Sequence, residues 1–282
     1  MRGRSTPREA GPRQLRVPEG VPELLRDLIH QRTGLFFEDN RTDFLIEKLE
    51  PAAQARGFAS FLDYYYALKD DDHGEWDRAW EALSVQETYF WREMSQINAL
   101  VRLIIPDWFR RCSLPFRVWT AACATGEEPY TIAIALSESG AGWLPVEVIA
   151  TDASPAALEK ARRGIYREKS FRALPIELRQ KYFEPVPEGW RISEEIQKRV
   201  AFARANLFEP GDVAQFARVP AIFCRNVFIY FSPHAIRQTV AMIAAKMPPS
   251  GHLFVGASES LLRMTTDFEL KEIGDALAYV RI

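Results

Sequence analysis

The strongest constraint on the fold is an alternation of short apolar segments with amphipathic helical segments, which begins at Phe116. The apolar segments lie at 116–123, 146–152, 200–205, 221–224 and 252–256. Helical patterns occupy 128–138, 155–163 and 233–246 between them. Repeated β-α units of this kind need a parallel sheet with helices on both faces. The sequence therefore predicts an α/β fold.

The last two strand-like segments, 268–273 and 276–282, are separated only by Gly274 and Asp275. A link of this length permits an antiparallel hairpin and is too short for a crossover helix. We therefore expect one domain over 85–282, in which a parallel sheet ends in an antiparallel C-terminal edge.

A different pattern precedes this domain. Between residues 17 and 84 the apolar residues recur at helical spacing and strand signals are absent, so we expect a small all-α N-terminal domain. Residues 1–16 are rich in Arg, Gly and Pro and lack hydrophobic periodicity. They are predicted to form a disordered tail.

Composition argues against several classes of partner. A formal net charge of -2 gives no general attraction to phosphate backbones, so nucleic acid is disfavoured. No apolar run approaches the roughly 20 residues of a membrane-spanning helix, so we expect a soluble protein without membrane insertion. We predict a cytoplasmic location. The three cysteines and four histidines lack the spacing of a metal site. We therefore predict free thiols and no metal.

Residues at the ends of the predicted strands suit a positively charged nucleoside. In an open α/β sheet, ligands collect at the carboxyl ends of the strands. After the first strand come small residues up to Gly126, and then Glu127 and Glu128 in place of a glycine-rich phosphate loop. Two carboxylates at a helix start repel a pyrophosphate and favour a cation. S-adenosylmethionine, which carries a sulfonium and an ammonium group but no phosphate, fits this pattern better than a dinucleotide.

Asp152 and Asn206 close the second and third strands. Asp152 can accept hydrogen bonds from both ribose hydroxyls, and Asn206 can donate to and accept from an adenine edge. Simpler interpretations exist: Asp152 can cap the next helix, Asn206 can be a turn residue, and Glu127 with Glu128 can complement a helix dipole. Their shared position at strand ends favours the nucleoside.

Four motifs resemble the CheR family of protein-glutamate O-methyltransferases. They are Gln-Glu-Thr-Tyr-Phe-Trp-Arg-Glu at 86–93, Thr-Gly-Glu-Glu-Pro-Tyr at 125–130, Ala-Thr-Asp-Ala-Ser-Pro at 150–155 and Cys-Arg-Asn-Val-Phe-Ile-Tyr-Phe at 224–231. The resemblance implies a Rossmann-like class I SAM-dependent methyltransferase domain. It also implies a linker helix at about 85–105 and a small inserted β-subdomain at about 167–200.

The resemblance further implies roles for single residues. Arg92 and Tyr230 are the implied catalytic residues: Arg92 holds a carboxylate or positions the substrate, and Tyr230 lines the methyl-transfer face. Without the family, Arg92 would be interpreted as a surface residue of a linker helix and Tyr230 as a core aromatic. The implied cofactor residues are Gln86, Thr88, Arg92, Gly126, Glu128 for the methionine amino group, Asp152 for the ribose, Asn206 and Leu207 for the adenine, and Asn226 and Val227 beside the methyl group.

The implied reaction transfers a methyl group from S-adenosylmethionine to glutamate side chains in the cytoplasmic domain of a methyl-accepting chemoreceptor. The products are glutamyl methyl esters and S-adenosylhomocysteine. A glutamate carboxylate is already ionised at neutral pH, so its attack needs no general base. Alignment and desolvation of that carboxylate would supply most of the catalysis. We expect the enzyme to be a monomer.

The chain departs from the family pattern at several positions. Gln86, Trp91 and Ala257 stand where the family usually has Asn, Phe and His. Residues 182–192 are short and lack the glycines of the loop on which some members dock a receptor's C-terminal pentapeptide, so we predict a pentapeptide-independent enzyme. The basic face of the N-terminal domain is limited to Arg41, Lys48 and Arg56, diluted by Asp43, Glu47 and Glu50.

Three alternatives are retained. The first is a methyltransferase that acts on nitrogen in nucleic acid or small molecules. It is disfavoured because such enzymes commonly place an (Asn/Asp)-Pro-Pro-(Tyr/Phe) stretch after the fourth strand, where this chain has Asn226-Val-Phe-Ile-Tyr230. A non-catalytic signalling module that binds S-adenosylmethionine or its product would be consistent with Gln86 and the missing histidine. A dehydrogenase would need the phosphate loop that this sequence lacks.

Overall fold

The structure is a computed structural model that describes residues 15–71, 74–140 and 142–282. The chain divides into two compact units: residues up to Gln31 with Phe36–Ser84, and Arg32–Leu35 with Val85–Ile282. Of the tail predicted at 1–16, residues 1–14 lie outside the described residues. Leu15 is buried, and Arg16 exchanges backbone hydrogen bonds with residues 59 and 61. These two residues therefore do not belong to a disordered tail.

The first unit is helical because its apolar residues recur on one face of each helix. Leu25, Leu45 and Leu49 are fully buried in its core. The Ser60 hydroxyl accepts a hydrogen bond from the Leu62 N–H at 3.2 Å and so caps the third helix. The helices are α1 (Val21–Thr33), α2 (Thr42–Ala55), α3 (Phe61–Asp70) and α4 (Glu75–Leu83). The prediction of an all-α N-terminal domain is confirmed.

The linker helix predicted at about 85–105 begins later than expected. Residues 85–93 are not helical. Trp91 and Glu93 have φ values of +70° and +51°, which a right-handed helix cannot contain. The helical segment consists of α5 (Met94–Ala99), a π-helical stretch (Leu100–Ile104) and α6 (Ile105–Arg111). The predicted boundaries of this helix were therefore wrong.

The second unit is built on a seven-stranded sheet in the order β6-β2-β1-β7-β8-β10-β9. The strands of this unit are β1 (Phe116–Ala121), β2 (Val146–Asp152), β3 (Ile165–Tyr166), β4 (Phe183–Val186), β5 (Gly189–Ile192), β6 (Val200–Arg204), β7 (Ala221–Phe223), β8 (His252–Phe254), β9 (Phe268–Ile273) and β10 (Ala276–Arg281). Strands β6, β2, β1, β7 and β8 pair in parallel, and β10 pairs antiparallel with β8 and β9. This topology confirms the predicted fold class.

Helices cover both faces of the sheet because successive side chains of each strand point to opposite faces. Val118 packs in one core cluster with Ile132 and Ile134, whereas the adjacent Trp119 packs in another with Ile243. No helix in the described part of the chain is both long and apolar enough to cross a membrane. The remaining helices are α7 (Glu127–Glu138), α8 (Pro155–Arg163), α9 (Ile176–Tyr182), α10 (Glu194–Gln197), α11 (Pro210–Phe216) and α12 (Pro233–Ala244).

A small three-stranded sheet in the order β3-β5-β4 interrupts the β-α pattern between α8 and β6. Strands β4 and β5 form an antiparallel hairpin in which Val186 pairs with Gly189, so the turn consists of Pro187 and Glu188 alone. Gly189 packs so closely that a Cβ atom there would lie 2.3 Å from the Tyr166 carbonyl oxygen. Position 189 of the hairpin therefore admits no side chain.

Candidate cofactor site

The candidate site lies where the parallel strands end. Strand β1 connects to β2 on one side of the sheet and β7 connects to β8 on the other, so the topological switch point lies between β1 and β7. A cavity at this point is lined by four of the predicted site residues, Thr88, Arg92, Glu128 and Asn226. The predicted residues that are not among its lining residues are Gln86, Gly126, Asp152, Asn206, Leu207, Val227 and Tyr230.

A buried ion pair crosses the switch point. The Arg225 side chain is 2% exposed, and its Nε donates to Glu128 Oε2 at 2.7 Å. Its terminal nitrogens donate to the carbonyl oxygens of Arg92 and Glu93 and to the Gln96 side chain. Burial raises the pKa of the Glu128 carboxyl, and the charge of Arg225 opposes that rise. Arg225 thereby fixes both the carboxylate and segment 92–93 at the strand ends.

The Asp152 carboxylate is held by the backbone on both sides. The Ala124 N–H donates to Oδ2 at 2.8 Å, and the Ser154 N–H donates to Oδ1 at 2.9 Å. The cap of α8 is supplied by the Ser154 hydroxyl, which accepts from the Ala157 N–H at 3.1 Å. Burial raises the pKa of Asp152. Each carboxylate oxygen keeps a lone pair, so Asp152 can accept further hydrogen bonds from a ribose.

The loop after β1 presents its backbone to the cavity. Ala122 and Ala124 have φ values of +54° and +48°, which are unusual for residues other than glycine. Gly126, with φ +92°, ends this loop and precedes α7. A Cβ atom at Gly126 would lie 2.9 Å from the Ala161 Cβ. Gly126 therefore allows the loop to pack on α8, whereas residues 122–124 form the cavity wall.

Two buried polar atoms beside the cavity have no hydrogen-bond partner among the described residues. They are Arg92 Nε, a donor, and Glu93 Oε2, an acceptor. The 3.7 Å between Arg92 Nε and Glu93 Oε1 is too long for a hydrogen bond. An amino-acid group offers a carboxylate to the guanidinium and an ammonium to the carboxylate. Because the methionine part of S-adenosylmethionine carries both groups, these residues fit that cofactor.

Both the oxygen and the nitrogen of the Asn206 side-chain amide form hydrogen bonds within the protein, and Asn206 does not line the cavity. Its Oδ1 accepts from the Phe208 N–H at 3.0 Å, which is an Asx turn, and its Nδ2 donates to the Arg32 carbonyl oxygen at 2.7 Å. Leu207 is buried. The turn role that the sequence allowed for Asn206 is thus present, and its adenine contact stays a prediction.

Glu259 holds the loop that follows β7. Its Oε2 accepts from the N–H groups of Asn226 at 2.8 Å and Gly256 at 2.6 Å, and its Oε1 accepts from the Ile229 N–H at 3.3 Å. Asn226 has a left-handed φ of +61°, a conformation that needs support. Glu259 therefore positions Asn226 at the cavity and the start of the 3₁₀ turn Phe228–Tyr230.

Arg92 and Tyr230 are within electrostatic reach of each other. Burial raises the pKa of the Tyr230 hydroxyl, Glu87 raises it further, and the charge of Arg92 lowers it. Val227 is half-buried, and its carbonyl oxygen accepts from the Tyr230 N–H at 3.0 Å. Gln86 lines a neighbouring pocket, where its Oε1 accepts from the Lys160 Nζ at 3.3 Å.

Arg225, Glu93 and Glu259 are not among the residues predicted for the site. Arg225 gives a usable signal, because an arginine that directly follows a buried apolar strand needs a carboxylate partner. The sequence gives no such signal for Glu93 and Glu259, because their positions at the site depend on contacts between segments that are distant in the sequence.

Comparison with known proteins decides the family. Residues 86–276 match the CheR methyltransferase SAM binding domain, and residues 23–84 match the CheR methyltransferase all-alpha domain. The chain belongs to the CheR methyltransferase family. Chemotaxis protein methyltransferase 2 of Vibrio cholerae serotype O1 is 34% identical over 264 residues, 91% of this chain and 91% of that protein. The chemotaxis protein methyltransferase of Escherichia coli K12 is 34% identical over 258 residues, 88% and 86% of the two chains.

A solved structure, magnesium protoporphyrin IX methyltransferase from Synechocystis PCC 6803 with bound SAM, aligns with 94% of this CheR-family chain and 99% of its own. The identity is 13% and the TM-score is 0.38, and values this low support no conclusion about the fold or activity of this chain. Family membership itself identifies S-adenosylmethionine as the cofactor of a methyltransferase. In the described part of the CheR-family chain, no group of three or more His, Cys, Asp or Glu side chains could hold a metal ion.

Replacement of Glu259 tests its role in this CheR-family site. Glu259→Ala leaves three backbone N–H groups without their acceptor, and each such loss costs about 1–3 kcal/mol when the group stays buried. The N–H of the exposed Ile229 can bond to water instead, so two losses remain and we expect urea unfolding to show a loss of about 2–6 kcal/mol. Glu259→Gln should lose less, because its amide oxygen still accepts.

The matched control for this prediction is Ser258→Ala. Ser258 is exposed in the same turn, so its replacement should leave both the free energy of unfolding and S-adenosylmethionine affinity unchanged. Equal stability of Glu259→Ala and Ser258→Ala would show that Glu259 does not hold the loop.

Proposed function

We propose that this chain transfers methyl groups from S-adenosylmethionine to glutamate side chains in the cytoplasmic domain of a methyl-accepting chemoreceptor. The observation that carries the proposal is the chemistry of the cavity wall. Its described lining residues include the carboxylates Glu87 and Glu128 and the guanidinium groups of Arg92 and Arg225, but no histidine or lysine. The cavity wall therefore offers no histidine or lysine to deprotonate an amine acceptor, whereas a carboxylate acceptor needs no base. The proposed location is the cytoplasm, where such receptor domains lie.

A carboxylate acceptor also agrees with the proton transfers that the reaction needs and with the hydrogen bond that Glu128 already makes. A glutamate is ionised at neutral pH and needs no base, whereas a protonated amine must first lose a proton. Glu128 is poorly suited to remove one, because it already accepts a hydrogen bond from Arg225 at 2.7 Å. A carboxylate acceptor therefore matches the cavity better than an amine.

The residues of the chain would act mainly by binding and alignment. When bound, S-adenosylmethionine supplies a methyl group made electrophilic by its sulfonium. Glu128 and Glu93 would hold the amino group, Arg92 a carboxylate, and Asp152 the ribose hydroxyls. Asn226, Val227 and Tyr230 would border the path of the acceptor. Holding the acceptor in line with the methyl group converts a collision into a step within one complex.

The proposed receptor interaction does not use a C-terminal pentapeptide. The hairpin β4–β5 turns through Pro187 and Glu188 alone, so its tip offers no extended loop for a peptide. We propose that the enzyme acts as a monomer on the receptor domain and does not act on nucleic acid, consistent with its net charge of -2.

The test is transfer of a radiolabelled methyl group to a panel of receptor cytoplasmic domains, followed by mild alkali. Glutamyl methyl esters should release volatile labelled methanol, because esters hydrolyse under these conditions and N-methyl products do not. The matched control is a receptor domain whose candidate glutamates are replaced by glutamine. Label that stays in the protein would reject the glutamate acceptor, and cofactor binding without transfer would favour a non-catalytic signalling module.

A further inference from the structure

A second pocket adjoins the cofactor cavity, and Thr88 lines both. We name it the basic pocket after its four cationic lining residues. They are Lys160, Arg163, Arg167 and Lys169, and all four are exposed. Lys160 donates to the Gln86 side chain, but within the described ranges none of the four is paired with a carboxylate. In the described part of the chain these four cations next to the reaction site therefore form no ion pair, although the charge of Lys169 is close enough to Glu127 to lower the pKa of that carboxyl.

The two acidic lining residues, Glu127 and Glu188, offset only part of the charge of the four cations. Glu127 is 2% exposed, and its oxygens accept from the Thr125 hydroxyl at 2.6 Å and the Ser170 hydroxyl at 3.0 Å. Burial raises the pKa of its carboxyl. The other acidic lining residue, Glu188, is exposed in the β4–β5 turn. The pocket is thus locally positive in a chain whose formal net charge is -2.

Two of the three basic residues on the N-terminal face have partners within the first unit. Arg56 donates to the buried Glu75 at 2.6 Å. Lys48 lies over the ring of Phe44, 5.3 Å from its centroid. The basic pocket of the second unit therefore holds more cations than this face, and they lie next to the cofactor cavity.

We propose that the basic pocket binds a carboxylate-rich segment of the methyl-accepting polypeptide, adjacent to the glutamate that enters the cavity. This inference rests on the proposed function, because it assigns a second contact to the same substrate. Because Thr88 lines both the cofactor cavity and the basic pocket, one polypeptide can enter the cavity and contact the basic pocket with neighbouring residues. An acidic polypeptide fits better than nucleic acid, because four clustered cations with Glu188 at the rim do not form the extended basic stripe of a phosphate-binding surface.

The first experiment measures binding of a fluorescent peptide to the full chain by anisotropy, without cofactor. The acidic peptide carries a central glutamate with two glutamates on each side, and the neutral peptide replaces the flanking glutamates with glutamine. The pocket variant combines Arg163→Gln, Arg167→Gln and Lys169→Gln. We expect it to weaken binding of the acidic peptide about tenfold, since each exposed charge contact contributes modestly. Its S-adenosylmethionine affinity should be unchanged.

The control variant removes the same charge elsewhere on the second unit. It combines Arg218→Gln, Lys246→Gln and Arg263→Gln, which are exposed and do not line either pocket. It should bind the acidic peptide within about twofold of the wild type. Equal loss in both variants, or equal binding of the acidic and neutral peptides, would overturn the proposal. So would tighter binding of a labelled single-stranded oligonucleotide that the pocket variant abolishes.

The two proposals fail in different ways. If the acidic peptide binds through the basic pocket but no receptor domain accepts label, the proposed function is rejected, and the pocket remains a site for acidic polypeptides but not for a methyl-accepting one. If label transfer proceeds with the same KM in the wild type and the pocket variant, the pocket assignment is rejected and the proposed function stands. A raised KM with unchanged kcat in the pocket variant supports both.

Discussion

Replacing Arg225 with methionine is expected to lower the free energy of unfolding by about 3–5 kcal/mol and to abolish measurable cofactor binding. The substitution keeps an unbranched apolar stem but removes the guanidinium that neutralises the half-buried Glu128. It also releases the carbonyl oxygens of Arg92 and Glu93. Urea unfolding measures the first effect, and calorimetric titration with S-adenosylmethionine measures the second.

The same sheet provides a closely matched control in Arg117→Met. Arg117 Nε donates to Glu147 Oε2 at 2.7 Å, the same distance and atoms as in the Arg225 pair, but the two side chains are 55% and 50% exposed. An exposed pair contributes only about 0–1 kcal/mol. Similar losses in the two variants would show that burial does not determine the importance of the Arg225 pair.

The deficit of the Arg225→Met variant should depend on pH. Without Arg225, the pKa of Glu128 in the folded state rises further above its unfolded value of about 4.3, because the opposing charge is gone. A carboxyl with a raised folded pKa gives stability that is present below the unfolded value and lost as pH rises through the folded value. Because the folded-state pKa is raised in both proteins and more so in the variant, the difference in unfolding free energy should grow as pH rises from the wild-type folded pKa to that of the variant, both of which lie above about 4.3. A constant difference from pH 4 to 8 would contradict this assignment.

Asp152→Asn is expected to weaken S-adenosylmethionine binding about 100-fold while leaving the domain folded. One oxygen that accepts from a backbone N–H, and that is proposed to accept from a ribose hydroxyl, becomes an NH₂ group, which can do neither. Each hydrogen bond to a charged group contributes about 1.5–3 kcal/mol, so two weakened contacts account for the expected change. Calorimetry gives the affinity, and circular dichroism verifies the fold.

Asp275→Asn removes one charge in the exposed β9–β10 turn and should leave the affinity unchanged. Comparison with this variant separates the specific role of Asp152 from a change in net charge. Unchanged affinity in Asp152→Asn would mean that the ribose binds elsewhere.

The sequence predicts the frame of the site well where local pattern determines structure. Strand β2 and helix α8 occur at the predicted residues, 146–152 and 155–163, because an apolar run and a proline at the first helical turn mark them locally. Since parallel strands end at one edge, the positions of Asp152 and Glu128 at the same edge of the sheet follow from these elements.

Other features of the site depend on contacts between distant segments and could not be predicted in this way. The backbone at Trp91 and Glu93 turns left-handed, so the linker helix begins at Met94. Arg225 joins Glu128 to segment 92–93, and Glu259 joins the loops after β7 and β8. The amide of Asn206 turns to Phe208 and Arg32. The Asn206–Phe208 and Gly256–Glu259 contacts are local, and the sequence allowed the turn at Asn206, but the other partners lie far apart in the sequence and leave no local pattern.

The two-residue turn of the β4–β5 hairpin is expected to tolerate inserted residues. The entropy of closing a loop grows slowly with its length, so each doubling costs only about 0.6 kcal/mol. Residues can therefore be inserted between Val186 and Gly189 with little loss of stability, provided that Gly189 keeps its close contact with Tyr166. The hairpin is a site at which evolution or protein engineering can add a peptide-docking loop without rebuilding either sheet.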